Sequence, residues 1–117
     1  MAKKILVIDD SPAIRQQVSI CLIEGGYDVV EATDGRDALS KLEAVSLAIC
    51  DVNMPGMNGI EFVKEMAQRG SKLPIVMLTT EGRPELVSEA KKAGAKGWMV
   101  KPFKVDQLIL VVRKLAI

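Results

Sequence analysis

Five short apolar runs, each followed by a segment with helical spacing, set the strongest limit on what this chain can fold into. Lys4–Ile8 reads KILVI, a continuous run of the kind found in a strand covered on both faces. The other runs are Tyr27–Ala32, Leu47–Cys50, Leu73–Thr79 and Gly97–Val100. The second is partly polar and suits a place nearer a sheet edge. Pro74 is tolerable only near the start of its strand. Ser11 and Pro12 open the first helix as N-cap and first helical residue. Ile14, Val18, Cys21 and Leu22 then share a face, and Gly25–Gly26 ends the helix. Gly35–Glu43 predicts a short helix burying Ala38, Leu39 and Leu42. Gly59–Arg69 predicts one with Ile60, Val63, Met66 and Ala67 inward, ended by Gly70. Pro84–Ala93 is stopped by Gly94. Val105–Leu115 closes the series with Leu108, Ile109, Val112 and Leu115 on one face.

Strands alternating with helices imply right-handed crossovers and a parallel sheet covered on both faces. Five units are too few for an eight-stranded barrel, so an open, doubly wound α/β sheet remains. Such sheets bind ligands beyond the carboxyl ends of their strands, at the point where strand order reverses. The residues just past each strand are therefore the candidates for function.

The chain has 117 residues, 49% apolar and 26% charged, the profile of one globular domain rather than a disordered segment. Sixteen basic residues face 15 acidic ones, for a formal charge of +1, which does not suggest a nucleic-acid or membrane surface as main partner. The N-terminal MAKKILVIDD has a basic start, but its apolar run meets two acids too soon for a signal peptide. Cys21 and Cys50 lie within apolar patterns and read as small buried hydrophobes of a reducing compartment. A cytoplasmic location is expected. The count of zero histidines removes Ser-His and Cys-His nucleophiles, histidine-bound zinc and any phosphohistidine carrier role. Any chemistry falls to carboxylates, hydroxyls, lysine or a metal.

The strand ends carry Asp9–Asp10, Asp51, Thr79–Thr80 and Lys101. In a parallel sheet these edges lie on one side, so three carboxylates, two hydroxyls and an ammonium converge. Two like charges about 4 Å apart repel by roughly 4 kcal/mol at an effective dielectric of about 20. A hard divalent cation such as Mg²⁺ relieves such an all-oxygen cluster, and magnesium suits phosphate chemistry. Asp51 can then take a phosphoryl group as an acyl phosphate, with Lys101 balancing one phosphoryl oxygen and Thr79 bonding another. Lys101–Pro102 favours a turn that would fix where the lysine points. Each residue has a plainer structural explanation: an N-cap acid, a turn Asp, a strand-end Thr, a surface Lys, a core Trp98. Four separate strand ends agreeing is harder to explain that way.

These residues identify a resemblance. IDDS at Ile8–Ser11, DVNMPGMNG at Asp51–Gly59, LTTEG at Leu78–Gly82 and KPF at Lys101–Phe103 resemble, in this order and spacing, the response-regulator receiver domains of bacterial two-component signalling. The single-domain chemotaxis-type regulators are most similar, and the likeness covers essentially the whole chain, 1–117, with no output domain expected. It implies a flavodoxin-like (βα)5 fold with sheet order 2-1-3-4-5. It further implies Asp51 as phospho-acceptor, Asp10, Asp51 and the Asn53 carbonyl as direct Mg²⁺ ligands, and Asp9 acting through water. Thr79 corresponds to the switch hydroxyl, Lys101 to the family's lysine and Trp98 to the aromatic switch. Asn53 and Glu81 match the pair that flanks the site in chemotaxis-type regulators. Trp98 is bulkier than the usual Tyr or Phe, and Thr80 is larger than the usual Ala or Gly, narrowing the donor's approach.

The implied partners are a histidine kinase as phosphodonor, a downstream protein target met by the fourth and fifth helices and fifth strand, and optionally a phosphatase. No nucleic acid or membrane partner is expected. A monomer is expected, with dimerisation on phosphorylation left open. Lys91, Lys92, Lys96 and Lys104 lie around the output face, as a solvated surface or a match for an acidic partner. The chief alternative is a receiver-like module that docks without phosphorylation. A flavin carrier fits poorly, because Asp-Asp-Ser-Pro after the first strand repels an anion. An aspartyl phosphatase of the haloacid type would need Asp-x-Asp there, which the chain lacks.

Overall fold

The computed structural model describes residues 2–116. Among them, five strands alternate with five helices: β1 (Lys4–Ile8), α1 (Pro12–Glu24), β2 (Asp28–Ala32), α2 (Gly35–Leu39), β3 (Val45–Cys50), α3 (Gly59–Gln68), β4 (Ile75–Thr79), α4 (Pro84–Ala93), β5 (Gly97–Val100) and α5 (Val105–Leu115). All paired strands are parallel, in the order β2-β1-β3-β4-β5. The expected doubly wound sheet is present, and β2 and β5 are its edges.

Alternating side chains of each inner strand feed two cores, as the pleat requires. Leu6, Ile8, Ala48, Cys50, Ile75 and Met77 pack with Phe62, Val63 and Met66 of α3, Ala38 of α2 and Ala90 of α4. Ile5, Val7, Leu47, Ile49, Val76 and Leu78 pack on the other face with Val18 and Leu22 of α1 and Leu108 and Val112 of α5. An inner strand apolar on both faces is stable only between two helical layers, which explains the continuous runs of β1 and β4.

Several element ends differ from the spacing-based expectation. Helix α2 stops at Leu39 rather than Glu43, because the Ser40 amide and hydroxyl both donate to the Asp37 carbonyl, at 3.2 and 2.7 Å. Leu42 still packs on the core, but from an irregular segment. Strand β2 begins at Asp28, since the Tyr27 amide closes the end of α1 on the Leu22 carbonyl at 3.0 Å. Strand β3 begins two residues earlier than its apolar run, at Val45. Strand β4 begins at Ile75, leaving Leu73 and Pro74 outside it, and Arg69 is the cap of α3 rather than its last turn.

The strand order turns one way from β1 to β2 and the other way to β3, so the reversal lies between β1 and β3. Ile8 and Cys50 are partners in that pairing, which puts Asp9 and Asp51 side by side at the carboxyl edge.

Candidate functional site

Asp9 is the most tightly held residue at this edge, and it is 4% exposed. Its amide donates to the Ala32 carbonyl at 3.1 Å. Its carbonyl accepts from Arg15 Nη1 at 2.8 Å, and its Oδ1 accepts from the Ser11 amide at 2.9 Å. Its Oδ2 accepts from Lys101 Nζ at 2.7 Å.

Asp51 sits one strand over, 8% exposed. Its Oδ1 is turned back onto the chain by the amides of Val52 at 2.7 Å and Asn53 at 3.4 Å. Its Oδ2 faces Lys101 Nζ at 3.3 Å. The outer edge of Asp51 is therefore paired with the lysine.

Asp10 differs from both: it is exposed, and its carboxylate has no hydrogen bond or ion pair among the described residues. One carboxylate oxygen each of Asp9, Asp10 and Asp51 lies within 4.8 Å of the other two. Lys101 supplies the local countercharge, bridging Asp9 and Asp51 from the turn after β5, where the Lys101–Pro102 peptide bond is cis. Removing one partner from so buried a pair typically costs about 3–5 kcal/mol, because it strands the other charge. Three oxygen donors and no nitrogen or sulfur suit a hard cation such as Mg²⁺, so the donor set fits the metal that the sequence suggests.

Thr79, the last residue of β4, is wholly buried, and its Oγ1 accepts from the Glu81 amide at 3.3 Å. The Glu81 carbonyl in turn accepts from the indole Nε1 of Trp98 at 2.9 Å. Trp98 lies in β5, half-buried against the α3 side of the core. The loop that follows Thr79 is thus tied to the aromatic ring on the next strand. The Glu81 carboxylate turns outward to Arg83, at 3.1 Å. Thr80 is exposed and lines a groove with Ile14, Gln17 and Lys101–Phe103, beside the lysine. Asn53 is exposed on the loop after Asp51, with its amide bonded to the Asp51 carboxylate.

The structure therefore gathers Asp9, Asp10, Asp51 and Lys101 into one cluster with Asn53 at its rim. Thr79, Thr80, Glu81 and Trp98 form a neighbouring group across β4 and β5. Cys50 lies directly behind. Burial first, and then the charges of Asp51 and Asp9, push its thiol far above its ordinary range, so it stays neutral and donates to the Asp51 carbonyl at 3.2 Å.

Two residues that shape the cluster were not singled out from the sequence. Gly59 begins α3 with its Cα against the Asp51 backbone: a Cβ there would overlap the Asp51 carbonyl oxygen and come within 2.8 Å of Met77 Cε. The Asn-Gly pair ending the loop was its one visible signal. Arg15 reaches from α1 to the Asp9 carbonyl and to Glu31 Oε1 at 3.0 Å. Its polar position on α1, between apolar Ile14 and Val18, gave no hint of this. Among the described residues no helix is long and apolar enough to cross a membrane.

Comparison with known proteins adds an independent line. The response regulator receiver domain model matches residues 5–113. The chain is 34% identical over 119 aligned residues to the chemotaxis protein CheY of Thermotoga maritima, covering 99% of each. It is 43% identical over 106 residues to chemotaxis protein CheY1 of Helicobacter pylori, covering 86% of each. Among solved structures, the chemotaxis protein CheY4 of Vibrio cholerae superposes with a TM-score of 0.91 at 44% identity, over 98% of this chain and 99% of that one.

Proposed function

Because this chain belongs to the response regulator receiver family, whose members are phosphorylation-based signalling switches, we propose that it is a chemotaxis-type regulator phosphorylated on Asp51 by a histidine kinase. One observation carries the assignment: the buried Asp51 turns its Oδ2 to Lys101, beside two further acids at the sheet's switch point.

Asp51 Oδ2 attacks phosphorus as the phosphorus–nitrogen bond to the donor histidine breaks, and the leaving imidazole takes up a proton. Oδ1 is held by the Val52 amide, so the nucleophile needs little reorientation. Asp10, Asp51 and the Asn53 carbonyl would hold Mg²⁺ directly, with Asp9 acting through water. When bound, the metal supplies charge neutralisation at the phosphoryl oxygens. Lys101 shifts from its Asp9–Asp51 bridge to an ion pair with the new phosphoryl group.

Thr79 delivers the switch by moving its hydroxyl onto a phosphoryl oxygen. The Trp98–Glu81 hydrogen bond supports this reading, because the ring is joined to the loop that Thr79 would pull. The altered face of α4, β5 and α5 then meets a protein target, and exposed Lys91, Lys92, Lys96 and Lys104 favour an acidic one. The receiver domain, matched over residues 5–113, would act through protein contact.

The test is intact mass after incubation with Mg²⁺ and a small acyl-phosphate donor. Wild type should gain one phosphoryl group, and neither Asp51→Asn nor the metal-free reaction should gain any. A wild type that gains none from the small donor or from histidine kinases would overturn the proposal.

A further inference from the structure

Among the described residues nothing holds the Asp10 side chain, so its backbone is the one part through which the protein directs its carboxylate to the site. That backbone is controlled from an unexpected place. Strand β2 contributes no residue to the acidic cluster, yet it grips Asp9 twice. The Ala32 carbonyl takes the Asp9 amide at 3.1 Å. Glu31, the neighbouring residue, holds Arg15 Nε at 3.0 Å while Arg15 Nη1 donates to the Asp9 carbonyl at 2.8 Å. The peptide unit joining Asp9 to Asp10 is planar and rigid, so anchoring its oxygen also sets its N–H and the Cα of Asp10.

We propose that Arg15, braced by Glu31, is a positioning residue that orients the Asp9–Asp10 peptide and so aims the Asp10 carboxylate at a divalent cation. The inference deepens the functional reading above and rests on it. Two features separate this role from an ordinary surface ion pair. The Arg15 side chain is 16% exposed whereas Glu31 is 45% exposed, so the guanidinium is fixed and the carboxylate steadies it from the rim. An ion pair with one side so exposed is by itself worth about 0–1 kcal/mol, too little for the fold to depend on. The guanidinium fork also makes two bonds in fixed directions, a geometry that lysine's single ammonium cannot copy.

The sign of the effect on metal binding decides the matter. If Arg15 acted only as a nearby positive charge, its removal would tighten Mg²⁺ binding. As a positioning residue, its removal must weaken it. The experiment is calorimetric titration of the metal-free protein with Mg²⁺ for wild type, Arg15→Met, Arg15→Lys and Glu31→Ala, with thermal unfolding of each metal-free protein alongside. Arg15→Met should bind roughly tenfold more weakly, the usual loss when a group that orients a ligand is removed. Arg15→Lys should recover part of that loss, and Glu31→Ala should fall between wild type and Arg15→Met. At saturating Mg²⁺, phosphoryl incorporation by the variants should return toward the wild-type rate.

Wild-type or tighter affinity in a folded Arg15→Met overturns the proposal. If Arg15→Met does not fold, unchanged affinity in both Arg15→Lys and Glu31→Ala overturns it equally. A wild type that binds no Mg²⁺ would instead overturn the functional reading on which it rests.

Discussion

Gly59 shows how much a single missing atom controls. The α3 N-terminus and the end of β3 are drawn together by the Gly59 amide donating to the Val52 carbonyl at 2.9 Å, and the Asp51 carbonyl occupies the space a side chain would need. An added methyl has to push the backbone of the proposed phospho-acceptor, because backbone cannot swing aside as a flexible side chain does. Gly59→Ala is expected to destabilise the protein by about 1–3 kcal/mol, the usual range for overpacking. It should also slow phosphoryl incorporation at Asp51. Urea unfolding midpoints and single-turnover phosphorylation, measured on the same preparations, check both effects. A variant equally stable and equally fast would show that the strand end gives more easily than the geometry allows.

At the scale of elements, α2 is the clearest case of local chemistry setting a boundary. Asp34 caps it by accepting the Asp37 amide at 2.8 Å, and Ser40 closes it. Asp37 is held by the Thr33 amide at 2.9 Å and by Lys41 Nζ at 3.1 Å. The Thr33 bond first, and then Lys41, lower the Asp37 pKa below its ordinary 3.8. A carboxylate with a depressed folded-state pKa stabilises above the unfolded value, and that contribution is lost as pH falls through the folded one. Asp37→Asn should therefore melt below wild type at pH 7. The gap should close as the pH drops beneath 3.8, as thermal unfolding across a pH series would show. A constant gap across the series would mean that the carboxylate's charge is not what matters there.

At the scale of the whole molecule, the sheet is a partition between two cores, and the site lies where both meet the carboxyl edge. Phe62 of α3 is wholly buried in the core that also holds Ala48 and Cys50 of β3 and Ile75 and Met77 of β4, the strands whose carboxyl ends lead to Asp51 and carry Thr79. Phe62→Ala should lower stability by about 3–5 kcal/mol, because the cavity adds to the lost transfer energy. Denaturant titration would read this as a lower midpoint. Little change would mean that α3 collapses onto the sheet.

The alternation of runs and helical segments was legible in the sequence because each inner strand is apolar on both faces, and only a sheet between two helical layers buries both. Strand order beyond that came from the resemblance rather than from patterning, and the β2-β1-β3-β4-β5 pairing bears it out. The strand-end positions of Asp9, Asp10, Asp51, Thr79 and Lys101 were legible too, since a parallel sheet brings all its carboxyl ends to one edge. Ends set by single hydrogen bonds were not. Ser40 stopping α2 and Leu22 claiming the Tyr27 amide leave no periodic trace. Nor did spacing reveal that Asp9 is locked while the Asp10 carboxylate has no partner among the described residues, that Lys101 bridges two acids, or that Arg15 and Gly59 shape the cluster. Each is a contact between segments far apart in the chain, and only the tertiary packing decides which donor reaches which acceptor.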